Sequence, residues 1–173
     1  MRTRGIGLWF FCALALMLTA GCVGYHLGPP SGQVAGARSI QINAFVNHTL
    51  EPRLPEYVMM SLRKNLVQDG TYRLNTHGDG DVILTGEIKN YQRVGLSYQP
   101  TDVLTVLDYE ITMTAEITAR ERGTGKVIFD KTVVGHTSLR AGPDLTSAER
   151  QAIPQLTDDL AKRATALLVD GSW

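Results

Sequence analysis

Few residues in this chain have the types and spacings that could do chemistry. The densest cluster is "HGDGD", His77 to Asp81, with one imidazole and two carboxylates inside a glycine-rich stretch. A calcium loop needs an oxygen ligand at its fifth position and a glutamate at its twelfth. Counted from Asp79, those positions hold Ile83 and Asn90, so the match fails. No second group of ligand types completes a metal site, and the stretch reads as a polar turn ahead of a strand. His26, His48 and His136 stand at no spacing that pairs them with another ligand. The sequence has no Gly-x-Ser-x-Gly elbow, phosphate loop or dinucleotide fingerprint. Arg120-Glu121-Arg122, at a hairpin tip, reads as a solvated turn. No catalytic residue, metal or other cofactor is expected, and the chain does not read as an enzyme.

Cys22 carries a sharper expectation. Arg2 and Arg4 precede an apolar run of 13 residues, Ile6 to Leu18, and Thr19, Ala20 and Gly21 then supply small side chains. That layout is a bacterial secretory signal. The run is shorter than the roughly 18 residues of a permanent membrane span. With cysteine in the first mature position the site looks like a lipobox, although Thr19 replaces the preferred leucine. Cys22 then receives a diacylglyceryl thioether, becomes the mature N-terminus and is N-acylated. Each buried methylene contributes about 0.8 kcal/mol, so several acyl chains together hold a protein to a membrane effectively for good. Val23, rather than an aspartate, follows the cysteine and favours the inner leaflet of an outer membrane.

Removing residues 1–21 leaves 152 of 173 residues, enough for one domain with its own core. It also takes the basic count from 17 to 15 against 17 acids, so a nucleic-acid partner is not expected. Cys12 departs with the signal and the Cys22 sulfur is blocked by lipid, leaving no thiol for a disulfide or a zinc site.

These features need elements to carry them. "VGYHLGPPSGQVAGA" reads as a tether, giving a lipidated segment over 22–37 and a single domain over 38–173. Ile40, Ile42 and Ala44 share one face of a first strand. "VNHTLEPRLP" reads as a loop, and its sequon Asn47-His48-Thr49 is accidental in a bacterial lipoprotein. Leu54, Tyr57, Val58, Leu62 and Leu66 recur at helical spacing, predicting a helix from Leu54 to Gln68 that Asp69-Gly70 stops. "TYRLN" is a candidate short strand. Period two then takes over. Val82, Leu84, Gly86 and Ile88 share one face, and a partner alternates from Val103 to Ala119. At about 3.3 Å per residue that partner exceeds roughly 50 Å and calls for a bend or bulge, with Gly95 the candidate across from it. "VIFDKTVVGHTSL" is the last strand, and a final amphipathic helix begins near Ser147 and accommodates Pro154. The expected fold is α+β: a two-layer sandwich of a mostly antiparallel four-stranded sheet with two amphipathic helices on one face.

"GCVGYHL", "IQINAFVNHT", "DVILTGEIKNYQRVGLSY", "DYEITMTAEITARERGTGKVIFD" and the C-terminal amphipathic helix together resemble one family, the lipopolysaccharide-assembly lipoprotein LptE. The resemblance spans essentially the whole mature chain, and Gly-Cys-x-Gly-Tyr-His-Leu is its most distinctive motif. It implies a plug inside a large outer-membrane β-barrel of the LptD type, with lipopolysaccharide as the transported ligand. In such a protein the long hairpin and nearby basic residues contact lipopolysaccharide. The tip here, "GLSYQPTDV", has no arginine or lysine, which moves the candidates to Arg93 and Lys89 on one strand and Arg140 after the last. Tyr91 and Tyr98 are candidates for the barrel interface, while Tyr109 shares the apolar face. A different class of function is a lipoprotein regulator of a periplasmic cell-wall synthase. It would need a longer reach than the 15 residues between Cys22 and Arg38.

Overall fold

The structure, a computed structural model, describes residues 35–170. Cys22, the signal 1–21, His26 and Trp173 lie outside the described residues. In chain order the elements are β1 (Arg38–Ile42), β2 (Val46–Asn47), α1 (Leu54–Asp69), β3 (Tyr72–Leu74), β4 (Val82–Gln99), β5 (Asp102–Glu121), β6 (Val127–Arg140) and α2 (Leu145–Asp170).

The helices form where the pattern predicts. Pro55 sits in the first turn of α1, where a missing N–H costs nothing, and Gly70 closes the helix in the left-handed conformation (φ 76°) with its N–H on the Leu66 carbonyl. Helix α2 starts two residues before Ser147, because Asp144 caps it. One Asp144 oxygen accepts the Ser147 N–H at 3.2 Å, and the other accepts the Ser147 hydroxyl. Both bonds favour the ionised form, which holds the Asp144 carboxyl below its usual range.

The sheet corrects the expected four-stranded, mostly antiparallel one. It has six strands in the order β3-β1-β4-β5-β6, with β2 also on β4. β1 runs parallel to both β3 and β4, and β2 runs parallel to β4. Only β4-β5-β6 is antiparallel. Two short segments, β1 against Val82–Leu84 and β2 against Glu87–Ile88, lie in succession along one edge of β4. The stretch read as a loop therefore contains a strand. Its length of two residues is too short to show a period.

One face of the sheet carries both helices. Leu62 and Leu66 of α1 and Ala164, Thr165 and Leu168 of α2 meet Leu84, Ile117 and Phe129 of the three long strands. Burying a leucine or isoleucine fully contributes about 1.5–3 kcal/mol. The alternation of β5 is a buried alternation only from Ile111 to Ala119. Below Ile111 the cover thins: β6 stays paired with β5 as far as Asp108, and beyond it the ends of β4 and β5 run on as a two-stranded arm. Register shifts fall at Ile88/Asn90 and at three steps between Gly95 and Gln99, so the expected bulge near Gly95 is present, with another at Lys89. The exposed edge strand β6 is managed by α2. Asp159 accepts the outward N–H of His136 at 2.9 Å, which blunts that edge.

Candidate functional site

The arm and its root gather most of the residues singled out above. Tyr91 and Arg93 stand opposite Met113 and Ile111, so both side chains point to the helix face. There the Tyr91 hydroxyl donates to Glu149 Oε1 at 2.6 Å, and Arg93 donates to Glu149 Oε2 at 2.5 Å. The Asp144 cap fixes the first turn of α2 and so places Glu149 over the arm. The Arg93 guanidinium carbon also lies 5.3 Å from the centre of the Tyr109 ring, a cation–π contact. Burial, then the bond to the Glu149 carboxylate, pushes the Tyr91 phenol well above its ordinary range.

Lys89 is the bulged residue and lies on the opposite, uncovered face. Its ammonium is 2.6 Å from Glu87 and 3.1 Å from Glu116. The hydrogen bonds to Glu87 and then to Glu116 raise its pKa. Lys89 and His48 together hold the Glu87 carboxyl low. Arg140 stands opposite Asp108, three residues from Ile111, and therefore on the uncovered face as well. Its side chain is 77% exposed and 3.9 Å from Asp108. The three candidate cations do not form one cluster: Arg93 is on the helix side, Lys89 and Arg140 on the other. Tyr98 is half exposed near the tip, with its hydroxyl 3.0 Å from where a Cβ on Gly95 would lie. It packs down on Gly95, while Tyr91 is engaged at the root.

The tip is apolar. Val94, Leu96, Tyr98 and Leu104 are exposed. Asp102 turns its carboxylate onto the Leu104 N–H (3.0 Å) and the Thr105 hydroxyl (2.5 Å). At the root an open hollow of about 520 Å³ lies between residues His48–Glu51 and the Lys89–Arg93 stretch of β4, with Glu149 also lining it.

The stretch "HGDGD" is a structural joint. Asp81 accepts the Ser39 N–H at 2.8 Å and the Ser39 hydroxyl at 2.7 Å, and these bonds lower its pKa. Asp79 accepts from Asn75 at 2.7 Å. Arg122, read as part of a solvated turn, instead donates to the Gly80 and Gly78 carbonyls at 2.8 and 2.7 Å and to Gln41 at 2.6 Å. Glu121 pairs with Arg38 at 2.6 Å. Among the described residues no group of three or more His, Cys, Asp and Glu side chains is placed to hold a metal ion. None of the described helices is long and apolar enough to cross a membrane. Glu149 was missed because its partners lie 56 and 58 residues away, and a lone glutamate one turn into a helix carries no local sign of them.

A sequence model of LptE, lipopolysaccharide-assembly, matches residues 37–167. The chain belongs to the LptE family. The LptE match begins one residue before β1 and ends inside the last turn of α2, so it covers all six strands. No curated protein sequence matches the chain. Among solved structures, protein XCC0632 of Xanthomonas campestris is similar at TM-score 0.59 and 10% identity, over 80% of this chain and 86% of that one. The PelC dodecamer of Paraburkholderia phytofirmans is similar at TM-score 0.54 and 12% identity, over 79% and 92%. Protein CT253 of Chlamydia trachomatis follows at 0.52 and 10%, over 76% and 98%. At these identities the likeness is one of fold.

Proposed function

We propose that this LptE-family chain is a lipid-anchored protein of the periplasmic face of the outer membrane. It plugs an LptD-type β-barrel and, without enzymatic turnover, assists lipopolysaccharide transport to the outer leaflet. The observation that carries this reading is the family match over residues 37–167. The signal-like start and Cys22 support the anchor, and the arm supports an extended contact within a partner. Tyr98 and the exposed apolar tip are the proposed barrel contacts, while Tyr91 is committed to Glu149 and acts on the interface by holding the arm. Of the proposed lipopolysaccharide contacts, Arg140 is the cation least engaged within the protein. Arg93 and Lys89 would have to exchange existing carboxylate partners for phosphate. Depleting the protein in its host tests the reading. Surface lipopolysaccharide, labelled on intact cells with a membrane-impermeant reagent, should fall while total lipopolysaccharide is maintained. Undiminished surface labelling after depletion would contradict the proposal.

A further inference from the structure

The edge of β4 is covered piecewise and then abandoned. β1 takes Val82–Leu84 and β2 takes Glu87–Ile88. The last bond in the series is the His48 N–H on the Ile88 carbonyl at 3.0 Å. There the chain leaves the edge for the 48–53 loop. β4 itself continues to Gln99, bonded to β5 on one side and, among the described residues, to no strand on the other. From Asn90 to Gln99 it presents outward main-chain groups that no described strand satisfies. Such a row is a template for another extended backbone.

Three further observations bear on what fits there. The 520 Å³ hollow lies along this edge just past the point where β2 stops, walled by His48–Glu51, so the line of β1 and β2 continues into open space. The free stretch holds no proline or lysine, and its register with β5 is unbroken from Asn90 to Gly95, the bulges falling only between Gly95 and Gln99; the β6 edge, by contrast, is covered by Asp159 of α2. Val94 and Leu96, each 54% exposed, flank the free backbone with apolar side chains. A hydrocarbon phase would leave the outward N–H and C=O groups unsatisfied at a cost of several kcal/mol each. An extended polypeptide satisfies them and covers the side chains together.

We infer that the Asn90–Gln99 edge of β4 is a strand-addition site that takes an extended segment of the partner polypeptide, following β1 and β2 along the same edge. The identity of that partner rests on the plug reading; the edge itself does not. Amide hydrogen exchange, read residue by residue, tests it on the full chain alone and on its detergent-purified barrel complex. Pairing should slow alternate amides within 90–99 by about tenfold or more. The β5-facing amides between them should change little. Val94→Lys places a charge on the free stretch and should lower barrel recovery several-fold while leaving the thermal midpoint of the chain unchanged. A recovered complex with unchanged exchange across 90–99 would overturn strand addition and leave the plug reading intact. Purified material that contains no barrel at all would overturn the plug reading and remove this partner.

Discussion

Replacing Gly135 with alanine tests how α2 is seated on the sheet. A Cβ there would lie 2.7 Å from the Leu160 Cβ, 2.8 Å from the Leu156 carbonyl oxygen and 3.0 Å from the Leu160 nitrogen. These atoms belong to the α2 backbone or to the first side-chain carbon, so no rotamer change clears them. Leu156 and Leu160 are fully buried. Restoring an ordinary separation of about 3.5 Å requires α2 to lift by roughly 0.7 Å, which loosens its contacts with β6. Overpacking of this kind costs about 1–3 kcal/mol. Loss of glycine's freedom in the unfolded chain returns about 0.4–1 kcal/mol. The net expectation is a loss of about 1–2 kcal/mol, or roughly 5 °C in thermal midpoint for a domain of this size. Chemical denaturation followed by circular dichroism reads it directly. Gly123→Ala is the control: a Cβ there meets no atom within 4 Å, and its effect should stay within about 0.5 kcal/mol. If the two variants are equally stable, α2 does not pack against β6 as described.

Four other outcomes follow from named contacts. Glu149→Gln should cost about 1 kcal/mol, at the low end for charged hydrogen bonds because Arg93 is 38% exposed. It should also lower the Tyr91 phenol pKa, seen by ultraviolet titration, while burial, the larger cause, keeps it above its ordinary value. Asp158 is held down to about 2 from 3.8, chiefly by Lys162 and then by Lys64 and Asn65. A depressed carboxyl stabilises the fold above the unfolded value. The advantage of the native chain over Asp158→Asn, about 1–2 kcal/mol, should therefore hold at neutral pH and vanish as pH falls from about 4 toward 2 in acid denaturation. Cys22→Ala should leave the circular dichroism spectrum unchanged and release the protein from membranes of cells lacking a barrel partner; firm retention there would contradict lipid anchoring. Arg140→Glu should weaken lipopolysaccharide binding by the purified protein about tenfold, the loss of one charge-assisted contact, whereas Arg120→Glu should not.

Much of the fold was legible because it repeats locally. The alternation from Ile111 to Ala119, the three-and-four spacing from Leu54 to Leu66 and the Gly70 stop each fit inside one element. What stayed hidden depends on distant partners. Ile40 and Ile42 are apolar whether β1 pairs parallel or antiparallel, so its direction could not be read. β2 is a strand only because β4 offers it an edge. Arg122 looked solvated because its acceptors, the Gly78 and Gly80 carbonyls, are more than 40 residues away and carry no side-chain signal. At the arm, Arg93, Lys89 and Arg140 were recognisable as cations. Their division between two faces depends on the bulge at Lys89 and the register of β5 with β6. The Tyr91–Arg93–Glu149 clasp needed the α2 cap to be placed.

The central claim is tested most directly by affinity purification of the tagged, lipidated protein from detergent-solubilised outer membranes, with mass spectrometry of what accompanies it. The account predicts a large β-barrel of the lipopolysaccharide-assembly type in near-equal amount. Recovery of a cell-wall synthase without any such barrel would contradict it and make a regulatory lipoprotein the working description.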